Sequence, residues 1–293
     1  MDRKEAAAIA ADHLQAYEPG VHDAVANALQ ETWIRAAPPE DEQAARKWGI
    51  EALDYPAVGT PVPVLRGIGQ EIGKRARVDV DGYLPLVRLL WDRYGREGRV
   101  VAAVALGPME LAQPQKVVPV IHELAQSCVF WEDCDQLAMK ALEPVLRRDP
   151  ETWLEPLGGW VLEENKWVRR AALTAIGRLP MERGEYTARC VELLEPALGD
   201  PDRDVKRALS FALRVSARGE VEPVKQFIRD HRDATDADSL WVLCDVARSM
   251  TASLLPEFVD LLPIYQSWQE TAEPRAQRSV EGAVRVLEQT GQG

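Results

Sequence analysis

One apolar pattern recurs through the middle of the chain at a spacing of 37 residues. Its positions are Trp131, Val168, Val205 and Val242, each near the start of a segment with helical character. After Val168 and Val205, apolar or small residues follow at i+3, i+4 and i+7, which places them on one helical face. Such a regular recurrence is the sequence signature of stacked, similar units, so the chain is predicted to be a helical repeat protein.

Each unit is predicted to be two helices joined by a polar turn. In the clearest unit, the Gly199-Asp200-Pro201 turn ends one helix, and Asp202 or Asp204 can cap the next. Ala and Leu, which favour helix interiors, dominate the apolar residues. We therefore predict an all-α fold, a right-handed solenoid of HEAT-like (ARM-type) helical hairpin repeats with a concave inner face.

The regularity fades towards the N-terminus. Residues 1–80 are predicted to form an irregular helical cap and residues 81–293 the repeats, with residues 1–293 forming a single domain. The segment AAPPEDEQ, residues 36–43, is predicted to be a surface loop. A short helix is predicted to begin near Val62, where proline in the first turn is tolerated because its missing N–H has no partner there.

The formal net charge is −12 over 293 residues, which bears on the choice of partner. A protein with a large negative charge is repelled by nucleic acid, because the affinity of nucleic acid for proteins comes largely from neutralisation of its phosphates. The acidic excess is uneven, however, since basic residues slightly outnumber acidic ones between Glu163 and Arg218. A basic surface in the middle of the chain is therefore permitted.

Neither a secretory nor a membrane signal is found in the sequence. The first 17 residues carry charges through what would be the apolar stretch of a signal peptide. No apolar run reaches the roughly 18 residues of a membrane span. The four cysteines show no CxxC pairing and are interpreted as reduced thiols. We predict a cytoplasmic, monomeric protein without membrane contact, metal or other cofactor.

Four stretches occur in an order that matches a known family. They are GTPVPVLRGIGQEIGK from Gly59, YLPLVRLLWDRYGREGRVVAAVAL from Tyr83, VFWEDCDQLA from Val129 and NKWVRRAAL from Asn165. Together they resemble the AlkD-type DNA alkylation repair proteins, a family of HEAT-like repeat DNA glycosylases. The likeness covers about residues 55–220, and its specificity comes from the order of four motifs that are each weak alone.

The resemblance implies a DNA N-glycosylase, a hydrolase of N-glycosyl bonds. Its substrate would be duplex DNA carrying positively charged N3- or N7-alkylated purines, which the family excises without flipping the base into a pocket. By the same resemblance, Asp135 faces the deoxyribose of the lesion and Trp131 packs against the sugar and backbone. Further residues implied to bind the lesion or the DNA are Phe211, Arg170, Arg169, Arg207, Arg214 and Lys166.

These implied roles agree with the chemistry of the reaction. An alkylpurine cation is already a good leaving group, so the enzyme mainly needs a fixed negative charge beside an oxocarbenium-like sugar. Trp131 and Asp135 are four residues apart and share a helix face. Arg170 would hold a phosphate through the arginine fork. Phe211 stands where the family has a second site Trp, and it keeps a smaller π-face for a cationic lesion.

Several of these residues also have a structural interpretation, and Arg207 and Arg214 can belong to a solvated helix face. Trp131 can be a core residue between helices, and Asp135 can be a solvated helix acid or an ion-pair partner. Arg169 and Arg170 stand where many repeat proteins carry an arginine that faces an aspartate of the next repeat. The alternative function is a non-catalytic HEAT-like module that binds DNA or a protein partner, which the acidic charge favours.

Overall fold

The computed structural model describes residues 1–18, 20–38 and 56–292. Over these ranges the regular elements are all helices, so the all-α prediction is confirmed for the described part of the chain. Most of the predicted surface loop, residues 39–43, lies outside the described residues.

The chain divides into two compact units, Met1–Val145 and Leu146–Gly293. Each unit has its own buried core and is described by itself. The prediction of a single domain over residues 1–293, with a cap over residues 1–80, stays a prediction.

The described helices of the first unit lie in two layers. They are α1 Arg3–His13, α2 His22–Ala36, α3 Val62–Ala76, α4 Val80–Arg93, α5 Gly95–Ala112, α6 Pro114–Gln126 and α7 Trp131–Leu137. Helices α1, α3, α5 and α7 pack in sequence to form one layer, and α2, α4 and α6 form the other. Helix α3 begins at Val62, as predicted. A π-helical turn, Ala138–Leu142, follows α7 and leads into α8, Glu143–Arg148.

Helix α5 is the centre of the first unit. Nearly all of its residues are buried, including the run Val100–Leu106. A largely apolar helix has to be enclosed by others, and α5 packs against α3, α4, α6 and α7. The two charged residues at its start, Arg96 and Glu97, are also buried, so both need partners.

The second unit repeats the two-layer arrangement. Its helices are α9 Pro150–Trp160, α10 Lys166–Arg178, α11 Thr187–Leu194, α12 Arg203–Ser216, α13 Val221–Asp230, α14 Ala237–Arg248, α15 Leu262–Thr271 and α16 Gln277–Gly291. Helices α10, α12, α14 and α16 pack in sequence as one layer, and α9, α11 and α13 as the other. Val168, Val205 and Val242, which mark the 37-residue spacing, lie on successive helices of the first of these layers and are fully buried.

Small residues allow successive helices of a layer to approach closely. A Cβ atom on Gly177 of α10 would lie 2.4 Å from the Cβ atom of Ala212 on α12. The turn before α12 also follows the prediction, because Gly199 has a φ of 85° and the Asp202 carboxylate caps α12 by accepting from the Asp204 and Val205 amides.

Polar contacts between side chains repeat the same spacing. The Trp91 indole donates to the Ser127 hydroxyl at 2.8 Å, across 36 residues. The Trp268 indole donates to the carbonyl oxygen of Arg232 at 2.7 Å, again across 36 residues. These contacts join equivalent positions of neighbouring helix pairs, as expected of a repeat protein.

Candidate functional site

Both predicted catalytic residues lie on α7, in the first unit. Trp131 is the first residue of the helix and is half-buried, with its ring centre 5.3 Å from that of Phe130. Asp135 lies one turn later and is also half-buried. Because the two residues are four apart on one helix, their side chains leave it on the same side, as the spacing predicts. Their catalytic roles stay predictions.

Glu132, next to Trp131, anchors the first turn of α7 to α5. Arg96 donates from Nε to Glu132 Oε2 at 2.7 Å and from Nη2 to Oε1 at 3.0 Å, which is a bidentate pair. The side chains are only 8% and 13% exposed. Burial lowers the pKa of Arg96, but the Glu132 and Glu97 carboxylates outweigh it and raise the pKa above its ordinary value. The guanidinium therefore stays charged inside the unit.

Asp133 makes a second anchor one residue further along α7. Its fully buried carboxylate is 2.8 Å from the Arg99 guanidinium. Arg99 also donates to the carbonyl oxygen of Ser127 at 3.2 Å and lies 5.0 Å from the centre of the Trp91 ring. The indole face adds a favourable contact for this partly desolvated cation. Two successive residues of α7 are thus held by two arginines of α5.

The buried carboxylate of Glu97 holds the segment that precedes α3. It accepts hydrogen bonds from the amides of Val58, Gly59 and Thr60 at 3.2, 3.1 and 3.3 Å. Arg96 donates to the carbonyl oxygen of Thr60 at 3.2 Å. The Arg96-Glu97 pair therefore connects this segment, α5 and α7 in one network.

The sequence pattern does not single out Arg96. The available signal is the pair of adjacent charges, Arg96 and Glu97, at the start of a largely apolar helix. Such charges are rarely buried unless they are paired, so a buried network could have been expected.

Immediately after α7 the helix takes a π-helical turn. The amide of Ala138 donates to the carbonyl oxygens of Asp135 and Cys134 at this junction. The backbone of the turn lies close to α5, since a Cβ atom on Gly107 would be 2.3 Å from the carbonyl oxygen of Lys140. Single π-turns inside helices are frequent at functional sites. No feature of the sequence predicts this turn.

In the second unit, Lys166 stands at the start of α10. Its ammonium group is 2.9 Å from the Asp204 carboxylate and 3.3 Å from that of Asp202. Burial lowers the pKa of Lys166, but these two carboxylates outweigh it and raise that pKa. The ammonium also lies 4.5 Å from the centre of the Trp167 ring. Two carboxylates therefore neutralise this predicted DNA-binding cation.

Arg169 and Arg170 both contact other parts of the protein. Arg169 lies 2.8 Å from the Asp200 carboxylate and donates to the carbonyl oxygens of Glu163 and Glu164, both at 2.8 Å. Arg170 is 7% exposed and donates to the backbone carbonyl of Asp204 at 2.8 Å. These contacts tie α10 to the turn before it and to the next repeat, which is the alternative interpretation of both arginines.

The remaining predicted residues lie on α12. Phe211 is half-buried, and the Arg214 guanidinium lies 6.0 Å from the centre of its ring. Burial lowers the pKa of Arg214, which donates to the carbonyl oxygen of Ser249 at 3.1 Å. Arg207 is exposed and forms no hydrogen bond or ion pair with another described residue. Of the predicted DNA-binding cations, Arg207 is therefore the best placed to accept a new anion.

The predicted site residues are thus brought together in three groups. Trp131 and Asp135 share α7 in the first unit. The groups of the second unit are Lys166, Arg169 and Arg170 on α10, and Arg207, Phe211 and Arg214 on α12. The prediction that Asp135, Arg170 and Phe211 meet on a shared inner surface stays a prediction.

Within residues 1–18, 20–38 and 56–292, no three His, Cys, Asp or Glu side chains lie close enough together to ligate a metal ion. In the same ranges, no helix has the length and apolar character needed to cross a membrane.

In its described residues the chain is all-α, and within each unit the helices are stacked in two layers. A family model described as DNA alkylation repair enzyme matches residues 29–240, more than two thirds of the chain. The chain therefore belongs to the DNA alkylation repair enzyme family, which confirms the resemblance found in its motifs. Membership indicates a role in the repair of alkylated DNA. A comparison with curated proteins finds no match.

Proposed function

We propose that this protein is a DNA N-glycosylase that removes positively charged N3- or N7-alkylated purines from duplex DNA without base flipping. The observation that carries the proposal is the carboxylate of Asp135, half-buried beside Trp131 on a helix held by two ion pairs. Family membership supplies the substrate class, alkylated DNA. A carboxylate held in place is what a cation-forming cleavage of a glycosidic bond needs.

In the proposed reaction, the bond between C1′ of the deoxyribose and the purine nitrogen breaks first. Its electron pair leaves with the base, which neutralises the alkylpurine cation, and the sugar becomes an oxocarbenium-like cation. The Asp135 carboxylate stabilises that cation by Coulomb attraction, which is strong where water is partly excluded. A water molecule then adds to C1′ and loses a proton, leaving an abasic site.

The aromatic residues would support the lesion. Trp131 would pack against the sugar and backbone beside Asp135, and Phe211 would offer its ring face to the cationic base. Because Phe211 is already within 6.0 Å of the Arg214 guanidinium, a lesion cation there would compete with a resident one. We therefore propose that Trp131 contributes more than Phe211 to lesion recognition.

The basic residues would hold the phosphates. Arg207 is exposed and forms no ion pair with a described residue, so it can bind a phosphate without first losing a partner. Lys166 and Arg169 would have to share their charge with Asp202, Asp204 and Asp200. Arg170 and Arg214 would contribute by electrostatic attraction of the phosphates over a longer distance, since both already donate to backbone carbonyls.

The proposed architecture is a right-handed HEAT-like solenoid over residues 1–293, with duplex DNA on its concave face. Support comes from the two-layer stacking inside each unit and from side-chain contacts that recur one repeat apart. The protein would act as a monomer, because one concave face suffices to hold one duplex.

The test is release of the base. Duplex DNA carrying 7-methylguanine is incubated with the purified protein, and free 7-methylguanine is measured over time against a sample without protein. Release well above the spontaneous rate, with a matching number of abasic sites, is the expected result. Release at the spontaneous rate would exclude glycosylase activity on this lesion class.

A second function, a non-catalytic module that binds DNA or a protein partner, is favoured by one observation. Most of the predicted DNA-binding cations already have carboxylate or carbonyl partners. Binding to an unmodified duplex at several salt concentrations separates the forms of this alternative. A steep fall of affinity with salt indicates phosphate contacts, and no binding at low salt indicates a protein partner.

A further inference from the structure

We propose that Arg96 and Glu132 are positioning residues for the reaction assigned to Asp135, because they fix the rotation of α7. This inference rests on the proposed function. Neither residue needs to touch the substrate, and their effect on the reaction would pass through the orientation of α7 and its carboxylate.

The two anchors lie at different angles around the axis of α7. Successive residues of an α-helix are about 100° apart around its axis. Relative to Glu132, Asp133 therefore lies at about +100°, whereas Trp131 and Asp135 lie at about −100° and −60°. Asp133 lies on the side of α7 that contacts α5, and Trp131 and Asp135 lie on a different side. Glu132 lies between these two sides.

Two ion pairs constrain the rotation of α7. One ion pair would leave α7 free to turn about the contact, but Arg96 and Arg99 hold two successive residues with bonds of 2.7–3.0 Å. The Arg96 fork is planar and bidentate, so it restricts the direction of the Glu132 side chain as well as its distance. Rotation of α7 would lengthen at least one of these bonds.

The other end of α7 is held by a close backbone contact. The close approach of Gly107 to the Lys140 carbonyl oxygen fixes the π-helical turn against α5. With both ends held, α7 cannot slide along α5 without breaking an ion pair or clashing with backbone. Asp135 lies between the two fixed ends, three residues after Glu132 and three before the first residue of the turn.

A small rotation of α7 would displace the Asp135 carboxylate appreciably. A carboxylate about 6 Å from the helix axis moves about 2 Å when the helix turns by roughly 20°. A misplacement of about 1 Å can lower a reaction rate by about 10²-fold. Small losses of order in α7 would therefore be visible in the rate of base release, even when the protein remains folded.

Stability alone does not account for the buried pair of Arg96 and Glu132. Apolar residues of similar size often stabilise a core as well as a buried ion pair does. An ion pair gives the contact a defined direction. Here that direction fixes the orientation of α7, the helix that bears Asp135. The Glu97 carboxylate and the Thr60 carbonyl oxygen complete the guanidinium's partners, so Arg96 is itself held still.

The test uses Glu132→Gln, which keeps the size of the side chain and removes its charge. The rate of 7-methylguanine release under single-turnover conditions is expected to fall about 10- to 100-fold, while affinity for the unmodified duplex changes less than about 2-fold. Combined with Asp135→Asn, Glu132→Gln is expected to cause no further loss. An unchanged rate in the single variant, or a full extra loss in the double variant, would overturn the proposal.

A matched control is present in the same unit. Glu123 forms a bidentate pair with Arg88, at 2.6 and 2.7 Å, between α4 and α6. Glu123→Gln makes the same chemical change away from α7 and is expected to leave the release rate unaltered. An equal loss of rate in the control would attribute the effect to general stability and would overturn the positioning role.

A readout independent of activity separates this proposal from the proposed function. Amide hydrogen exchange of residues 131–137 is measured in the wild type and in Glu132→Gln. Faster exchange confined to α7 is expected, and unchanged exchange there would overturn the proposal even if the wild type is active. If the wild type releases no base, the glycosylase function fails, and this exchange measurement still decides whether Glu132 holds α7.

Discussion

Arg96 and Glu132 join the central helix of the first unit to the helix that carries Trp131 and Asp135, through bonds of 2.7 and 3.0 Å. The pair is almost completely buried, and the same guanidinium also contacts Glu97 and the Thr60 carbonyl oxygen. One arginine therefore satisfies three polar groups that water barely reaches, and its removal should be costly.

Arg96→Ala is expected to lower the free energy of unfolding by about 3–5 kcal/mol, because it leaves the Glu97 and Glu132 carboxylates buried without their cation. Arg88→Ala, which breaks the exposed pair with Glu123, is expected to cost only about 0–1 kcal/mol. Urea unfolding followed by circular dichroism measures both variants. Equal losses of unfolding free energy in the two variants would show that burial does not increase the contribution of the Arg96 ion pairs to stability.

The close contact between α10 and α12 gives a second prediction. Gly177→Ala places a methyl group where the Ala212 Cβ and Cα atoms lie 2.4 and 2.5 Å away, so the helices must separate. The cost is expected to be about 1–3 kcal/mol. Gly159→Ala is the control, because a Cβ there meets nothing within 4 Å.

Gly159 lies on α9, and Gly159→Ala is expected to stabilise the protein by about 0.5–1 kcal/mol, since alanine is a better helix former than glycine. Thermal unfolding of the two variants checks both signs. A tolerated Gly177→Ala would mean that α10 and α12 are not packed as closely as the structure places them.

The salt dependence of DNA binding distinguishes Lys166, which has carboxylate partners, from the exposed Arg207. Arg207→Gln is expected to reduce the slope of log binding constant against log salt concentration by about 0.9, the value for one lost phosphate contact. Lys166→Gln is expected to change that slope much less, because Asp202 and Asp204 already neutralise the ammonium. Fluorescence anisotropy with an unmodified duplex measures both. The reverse order would show that the Lys166 ion pairs open when DNA binds.

The buried thiol of Cys190 makes stability depend on pH. Burial raises the pKa of Cys190 from 9.0 to about 12. Between these values the unfolded chain loses the thiol proton and the folded chain keeps it, so stability is fully present below about pH 9 and falls as pH rises. The contribution of one thiol to this fall is about 1.4 kcal/mol per pH unit.

Cys190→Ala removes this contribution. Its unfolding free energy should therefore fall less steeply than that of the wild type when measured by urea titration between about pH 9 and pH 11. Parallel curves for the two proteins would contradict the raised pKa. Cys244, whose pKa burial also raises to about 12, provides an independent repeat of the experiment.

The parts of the fold that follow from the sequence are the local ones. Val168 and Val205 recur with small residues on one face, and Asp202 precedes a helix that it caps, so the helices α10 and α12 could be predicted from adjacent residues. The pairing of Arg96 with Glu132 joins residues 36 apart on different helices. No local pattern specifies it, because the partner depends on how helices stack.

The same limit applies to the site. Sequence identifies Lys166 as a cation near a DNA-binding motif, but phosphate and carboxylate both suit an ammonium group. Its engagement with Asp204, 38 residues later, is decided by the packing of α10 on α12. The π-helical turn after α7 is also a product of packing, since Gly107 brings the α5 backbone against it.

In the proposed reaction, the Asp135 carboxylate promotes cleavage of the glycosidic bond. The most direct measurement is the single-turnover rate of 7-methylguanine release from duplex DNA by the wild type and by Asp135→Asn. A rate at least about 10²-fold lower in Asp135→Asn, with unchanged binding of unmodified duplex, is the predicted result. Equal rates for the two proteins would contradict the claim.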